Sequence, residues 1–305
     1  AAYNRAGPKI GQDVGRIAGL ERDIGVIVQD CDTASYEGLD ADIGVVTVAN
    51  RLADNFPAYE RLLNAGLNVL CHGSEAYYPN GCNAQLAEKI DALARKNGVT
   101  FSGSGIWDAS RIWSGILAAG PCTELRSLFH SSITDAQRFG LGAIQLCGIG
   151  LSVEEFQRQV AGANAVMAMY KTIPEHVLAA LGYTILDAKV RAEPVLFDQP
   201  LPCPALGREI GAGEVAGTRI VADVSTHEGV TAHAHIETRL FHEGEIEHMF
   251  WSVDGLPRTR IRTERDDSGI ASATSLFNRI PDVIAAPPGI VLLSQLGPLK
   301  HTALH

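Results

Sequence analysis

The sequence predicts an α/β protein in two parts. A parallel-sheet domain comes first, and an α+β domain with a mostly antiparallel sheet follows. Three observations predict this. Between residues 40 and 107, apolar β-branched runs alternate with helix-period segments, the pattern of strands joined by right-handed crossovers. Each run ends in small or polar residues, at the edge where open parallel sheets take ligands. Past residue 125 the apolar period shortens to two, as in a sheet with one covered face.

Each element has its own justification. Ile43-Gly44-Val45-Val46-Thr47-Val48 is a continuous run suited to a strand buried on both faces. Asp54 or Asn55 is expected to cap the next helix, with Pro57 in its first turn. Tyr59, Leu62 and Leu63 cluster on that helix, and Gly66 suits its C-terminal cap. Leu67-Asn68-Val69-Leu70-Cys71 forms the second strand. A helix over 83–97 puts Leu86, Ile90, Leu93 and Ala94 at helical spacing and stops at Gly98. Val99-Thr100-Phe101 is the third strand. Residues 129–134, 219–224 and 232–238 alternate as strands of the second sheet. Residues 153–170 read as mainly helical, opened by a Ser152/Glu155 capping box. Residues 278–282 and 286–291 read as ordered loop.

The opening departs from this grammar. A doubly wound domain begins with a strand, a glycine-rich turn, a helix and a second strand. Residues 1–7 read as the tail of that helix and run through Gly7-Pro8-Lys9 with no second strand. Segments are therefore expected to be missing before Ala1 and between Pro8 and Lys9. The dinucleotide-binding domain is assigned to residues 1–106 plus 275–305, and a substrate-binding and dimerisation domain to residues 107–274.

Composition narrows the class. A net charge of −10 argues against a nucleic-acid partner. No apolar stretch reaches membrane-spanning length, and no signal-peptide pattern opens the chain. Six scattered cysteines without a Cys-x-x-Cys pair read as reduced thiols of a cytoplasmic protein.

The three strand ends should be neighbours, and they carry Ala49-Asn50-Arg51, His72-Gly73-Ser74-Glu75 and Gly103-Ser104-Gly105-Ile106-Trp107. Small residues there let a ligand approach the backbone, although they also serve ordinary turns. Glu75, near Tyr77 and Tyr78, is a candidate for proton transfer. The plainer alternative is a solvated acid or a first-turn acid near a helix N-terminus. Trp107 and Trp113 flank Asp108 and Arg111, either as pocket walls or as interface core. Tyr170 is a pocket hydroxyl or core. His233-x-His235 puts two imidazoles on one strand face; with no third ligand at diagnostic spacing, it reads as a polar face and no metal is assigned.

Several ordered fragments carry a family resemblance. They are Ala65-Gly66-Leu67-Asn68-Val69 leading to Ser74-Glu75 and Pro79, then Leu86-Ala87-Glu88-Lys89-Ile90, Lys96-Asn97-Gly98-Val99-Thr100 and Ser102-Gly103-Ser104-Gly105. Gly148-Ile149-Gly150-Leu151-Ser152, Asn278-Arg279-Ile280-Pro281-Asp282 and Ala286-Pro287-Pro288-Gly289 complete the series. The chain resembles the 2,4-diaminopentanoate dehydrogenase and native amine dehydrogenase group, whose cofactor domain is Rossmann-like and similar to that of dihydrodipicolinate reductase. The His-rich, Lys-containing motif of true dihydrodipicolinate reductases is absent. Ile106-Trp107-Asp108 stands where diaminopentanoate enzymes tend to have Asn-Pro.

The resemblance implies an NAD- or NADP-dependent enzyme that aminates a small ketone or aldehyde with ammonia, and the reverse oxidative deamination. It places the catalytic glutamate at Glu75. Ala49, Asn50, His72, Gly73, Ser74, Ser104 and Asn278 are expected along the cofactor. Tyr77, Trp107, Trp113, His130, Tyr170 and Thr274 are expected along the substrate pocket. The bulk of Trp107 and Trp113 points to a substrate smaller and more apolar than a diamine. A homodimer is expected. Two alternatives stay open: another NAD(P)-dependent C=N or C=O reductase, and a dinucleotide-binding protein without turnover.

Overall fold

The computed structural model describes residues 1–161 and 168–302. A two-stranded parallel pair, β1 (Ala2–Asn4) and β2 (Val28–Asp30), opens the fold, with the short helix α1 (Val14–Ile17) between them. Asp13 organises that connection: its carboxylate accepts from the N–H groups of Gly15, Ile24 and Gly25 at 2.7, 3.0 and 2.8 Å.

A four-stranded parallel sheet follows. Its members are β3 (Ile43–Val46), β4 (Asn68–Cys71), β5 (Thr100–Gly103) and, from the far end of the chain, β14 (Gly289–Ile290), in the order β14-β5-β4-β3. Helices α2 (Leu52–Asn64), α3 (Pro79–Cys82) and α4 (Ala84–Lys96) form its connections. Alternation along β4 decides the layering. Val69 and Cys71 face a core with Tyr59, Leu63, Ile90 and Phe101, while Leu70 faces Leu276 and Val283 on the opposite side. Both faces are covered, which is why Val69-Leu70-Cys71 of β4 reads as an unbroken apolar run.

The second sheet has six strands in the order β13-β12-β6-β11-β10-β7. They are β6 (Glu124–Asp135), β7 (Ile185–Leu196), β10 (Val215–Thr226), β11 (Thr231–Arg239), β12 (Glu247–Leu256) and β13 (Thr259–Arg265), with the hairpin β8 (Leu201–Cys203) and β9 (Arg208–Ile210) beside them. It is antiparallel except for the β11–β6 pair. Leu128, Ile220, Ala222, Val224, Ala234, Ile236, Trp251 and Val253 bury one face. Helices α5 (Ser114–Ala119) and α8 (Thr172–Ala180) pack there through Ala118, Ile173, Val177 and Leu178. Two short helices, α6 (Leu141–Leu146) and α7 (Val153–Phe156), lie between them in the chain, and α9 (Ser268–Ala285) returns to the first sheet.

A fully buried ion pair joins the parts. Arg279 on α9 meets Asp108 through two bonds, at 2.9 and 2.7 Å, and Ser104 Oγ donates to the same carboxylate at 2.8 Å. Both charged side chains have no exposed surface.

Several sequence expectations are corrected. Residues 2–4 are a strand, not the tail of a helix. Helix α2 starts at Leu52, so Pro57 lies inside it and neither Asp54 nor Asn55 caps it; Asn55 instead pins the preceding turn by bonding both Ala49 N–H and Ala49 O. Strand β3 is not buried on both faces, because Val45 is exposed. Residues 278–282 lie within α9 rather than a loop, since burial of Arg279 and Leu276 outweighs the breaker Pro281. The Ser152/Glu155 capping box forms, but a regular helix spans only Val153–Phe156 before the turns widen over 157–161. The part of that expected helix at 162–167 lies outside the described residues.

Candidate active site

The strand ends meet. His72 N–H bonds to Val46 O, Ser104 N–H to Cys71 O, and Glu75 N–H to Asn50 O. Glycine is needed at the third of them. A side chain on Gly103 would overlap the Ala76 carbonyl, and Gly105, at φ +140°, lies where a Cβ would meet His72 and the Tyr77 hydroxyl.

A cavity of about 710 Å³ opens at this edge, between the parallel sheet, the second sheet and α9. It has the size of a small-ligand pocket. Thr47 and His72 line one side, Ser272 and Phe277 of α9 another, and Trp107, Arg111, Tyr170 and Arg265 a third. Trp107 is the centre of the aromatic wall, with ring centroids 5.1 Å from Tyr77 and 5.4 Å from Tyr170. His72 Nε2 is 2.6 Å from Ser272 Oγ, and burial lowers its pKa, so the imidazole is neutral near pH 7. Burial raises the phenol pKa of Tyr77 and Tyr170, which therefore stay protonated.

Glu75 is half-buried on the turn Ser74–Tyr77, between the ends of β3 and β4. Its Oε2 accepts from Leu52 N–H at 2.7 Å and so caps α2, the helix that lacks a side-chain cap of its own. Oε1 has no hydrogen bond among the described residues. The carboxylate does not line the 710 Å³ cavity.

The other expected site residues divide. His72, Trp107 and Tyr170 line the cavity. Tyr77 lies one layer behind, its hydroxyl 3.4 Å from Trp107 N. Ala49, Asn50, Gly73 and Ser74 share the strand-end edge, where Ser74 Oγ donates to Asn50 Oδ1 at 3.2 Å. Ser104 is there too, but its hydroxyl is committed to Asp108. Four residues lie away from both the cavity and that edge. Trp113 is half-buried elsewhere. His130 packs against Trp251 in the core, with tilted rings 4.4 Å apart. Thr274 faces out and bonds to Ile270 O. Asn278 holds Thr302 N–H at 3.0 Å.

Sequence reasoning missed Arg265, Ser272 and Phe277 and gave Arg111 no role. Only the one-turn spacing of Trp107 and Arg111 offered a signal. His233 and His235 do meet, Nε2 to Nε2 at 2.8 Å, with His233 Nδ1 2.5 Å from Asp223. That is a hydrogen-bonded polar cluster on the sheet face.

The strand-end edge and its cavity fit a nicotinamide dinucleotide. Asn50, Gly73, Ser74 and His72 offer backbone and polar groups at the carboxyl edge, and aromatic surface stands opposite. No described helix is long and apolar enough to cross a membrane.

Known proteins agree with this architecture. A curated 2,4-diaminopentanoate dehydrogenase from Acetoanaerobium sticklandii is 25% identical over 269 residues, covering 84% of this chain and 74% of that protein. The solved structure of an amine dehydrogenase from Mycobacterium smegmatis superposes with a TM-score of 0.87 at 27% identity, covering 99% of this chain and 90% of that one. A probable dehydrogenase from Thermotoga maritima shares the fold, with a TM-score of 0.54 at 14% identity over 92% of this chain and 80% of that one. The sequence profile of the 2,4-diaminopentanoate dehydrogenase C-terminal domain matches residues 115–304, more than half of the chain, which therefore belongs to the 2,4-diaminopentanoate dehydrogenase family.

Proposed function

We propose that the chain is an NAD(P)-dependent amine dehydrogenase that aminates a small ketone or aldehyde with ammonia and catalyses the reverse deamination. The observation that carries this reading is the cavity of about 710 Å³ at the carboxyl edge of the parallel sheet, walled by Trp107 and Tyr170, in a chain of this family. When bound, a nicotinamide dinucleotide supplies or accepts the hydride at the carbon that exchanges oxygen for nitrogen. Asn50, Gly73 and Ser74 hold the cofactor at the strand ends, and His72, kept neutral and fixed by Ser272, orients the reacting end.

Glu75 manages the protons. Its Oε1 takes a proton from ammonium, returns protons as water leaves, and offsets the positive charge that develops on nitrogen. Trp107 and Tyr170 exclude water from the reacting carbon. The chain divides near residues 106 and 275 into a cofactor domain and a substrate domain, the second junction falling within α9. The outward face of the six-stranded sheet, with Arg191, Asp223, His233 and His235, stacks against a second copy in a homodimer. Six unpaired cysteines fit a reducing cytoplasm.

A panel of ketones and aldehydes with ammonium, following NADH and NADPH oxidation, tests the reading. Oxidation that needs both carbonyl and ammonium is the expected result. Oxidation without ammonium makes the protein a C=O reductase. Cofactor binding without any turnover makes it a binding protein.

A further inference from the structure

The reaction above makes no use of a side-chain cluster on the outward face of the six-stranded sheet. His233 and His235 lie two residues apart on β11 and point outward together. Their Nε2 atoms are 2.8 Å apart. Asp223, directly across on β10, holds His233 Nδ1 at 2.5 Å, and Arg191 donates to the other oxygen of that carboxylate at 3.0 Å. Phe129, opposite His233 on β6, stacks on one ring and meets the other edge-on. His233 and Asp223 border a cavity of about 410 Å³, so the outer side of the cluster is open.

The protons of the cluster suit a metal ion. The Asp223 carboxylate only accepts, so His233 carries its hydrogen on Nδ1 and presents a lone pair at Nε2. His235 donates from its own Nε2 to that lone pair. Burial, with His233 and Arg219 adding to it, lowers the His235 pKa and keeps this imidazole neutral near pH 7. A neutral ring can move its hydrogen to Nδ1, and both Nε2 lone pairs then become available to one ion. Two nitrogens that share an ion at about 2.0–2.1 Å stand about 2.9 Å apart at a right angle and about 3.4 Å apart at a tetrahedral angle. The spacing here is within about 0.6 Å of either. An imidazole held by a carboxylate through its other nitrogen is the usual setting of a metal-binding histidine.

One chain supplies only half of such a site. Among the described residues, no third histidine, cysteine or acid brings a ligand atom to the pair, whereas a closed zinc site takes four ligands. Strands β6 and β11 are the two middle strands of the sheet. A two-fold axis through the middle of the outward face sets the pair against its own copy.

We propose that His233 and His235 bind a divalent transition-metal ion such as zinc, and that the same pair of a second copy completes the site. The inference rests on the homodimer reading, and it replaces the expectation of a merely polar strand face. Asp223 is a positioning residue: it fixes the tautomer and the ring plane of His233 and does not touch the ion.

The test uses tag-free protein dialysed against zinc and then against metal-free buffer, beside a sample stripped with EDTA. The wild-type dimer should keep one zinc per two chains. Stripping should raise its dissociation constant, read by analytical ultracentrifugation, by at least ~10-fold. His235→Asn should hold no zinc and should dimerise equally with and without EDTA, and His233→Asn is an independent removal with the same expected result. Asp223→Asn should keep the stoichiometry and bind zinc ~10-fold more weakly, because the imidazole loses its charged partner. A wild-type dimer without zinc, one zinc per chain, or zinc kept at full stoichiometry by both histidine variants would overturn the proposal. The zinc-free dimer would leave the homodimer reading intact, whereas a chain that stays monomeric with and without zinc would sink that reading together with the bridge.

Discussion

Glu75→Gln separates the capping role that Glu75 has in this fold from the proton transfer proposed for it. Oε2 caps α2 through Leu52 N–H at 2.7 Å, while Oε1 has no hydrogen bond among the described residues. A glutamine keeps a carbonyl acceptor for Leu52 N–H and loses only the charge and the basicity. The structural cost is then the charge–dipole part of the cap, about 0.3–1 kcal/mol. Glu75→Ala loses the cap as well, about 1 kcal/mol in all, which lowers the thermal midpoint by about 2–4 °C for a chain of this size. Positioned proton transfer contributes ~10²-fold or more, so both variants should lose at least ~2.7 kcal/mol of transition-state stabilisation. Ammonium-dependent NAD(P)H oxidation at saturating substrate gives turnover, and thermal unfolding gives the cap. Cofactor affinity, read by fluorescence titration, should stay near wild type in Glu75→Gln. If Glu75→Gln turns over at close to the wild-type rate while Glu75→Ala melts early, the carboxylate is a helix cap and nothing more, and the proton chemistry belongs elsewhere.

Two further perturbations test the frame around the site. Arg279→Met strands Asp108 without a counter-ion in a fully buried setting and should cost about 3–5 kcal/mol, read as a fall of roughly 6–20 °C in the thermal midpoint; an unchanged midpoint would show that the pair does not hold α9. His176 is fully buried, with Nε2 3.2 Å from Ser294 Oγ, and burial lowers its pKa to about 4. Its folded pKa lies below the unfolded value of about 6.5, so its stabilising contribution is full above that pH and is lost as pH falls toward 4, about 3 kcal/mol in all. His176→Gln should flatten the thermal midpoint between pH 4 and 6.5, and an unaltered slope would contradict the assignment.

Local chemistry made much of the fold legible. The helix over 83–97 is legible from its apolar spacing and the stop at Gly98, and it forms as Ala84–Lys96, with Asn83 as its cap. Strand β4 is legible as the apolar run Leu67, Val69, Leu70 and Cys71, interrupted only by Asn68, just after Gly66. Their alternation fixed which strand ends converge, and with them the placement of His72, Trp107 and Glu75 at one edge. The failures share one cause: in each, distant contacts outweigh local preference. Pro57 and Pro281 argue against helix interiors, yet α2 and α9 run through them because each helix buries a full side against the sheet. Residues 2–4 carry too few side chains to announce a strand, and only pairing with Val28–Asp30 makes them one.

Sequence by itself determined the order of strands and helices, the edge where their carboxyl ends gather, and the acid that stands there, because propensity, period and turn chemistry are properties of neighbouring residues. Tertiary structure alone decided which side chains face the cavity. It joined Arg279 to Asp108 across 171 positions, turned His130, Thr274 and Asn278 away, set Glu75 on the end of α2, and placed the Arg111 guanidinium beside Trp107 with no hydrogen-bond partner among the described residues. The physical reason is that pairing and desolvation are settled by neighbours in space, and spacing along the chain carries no record of them.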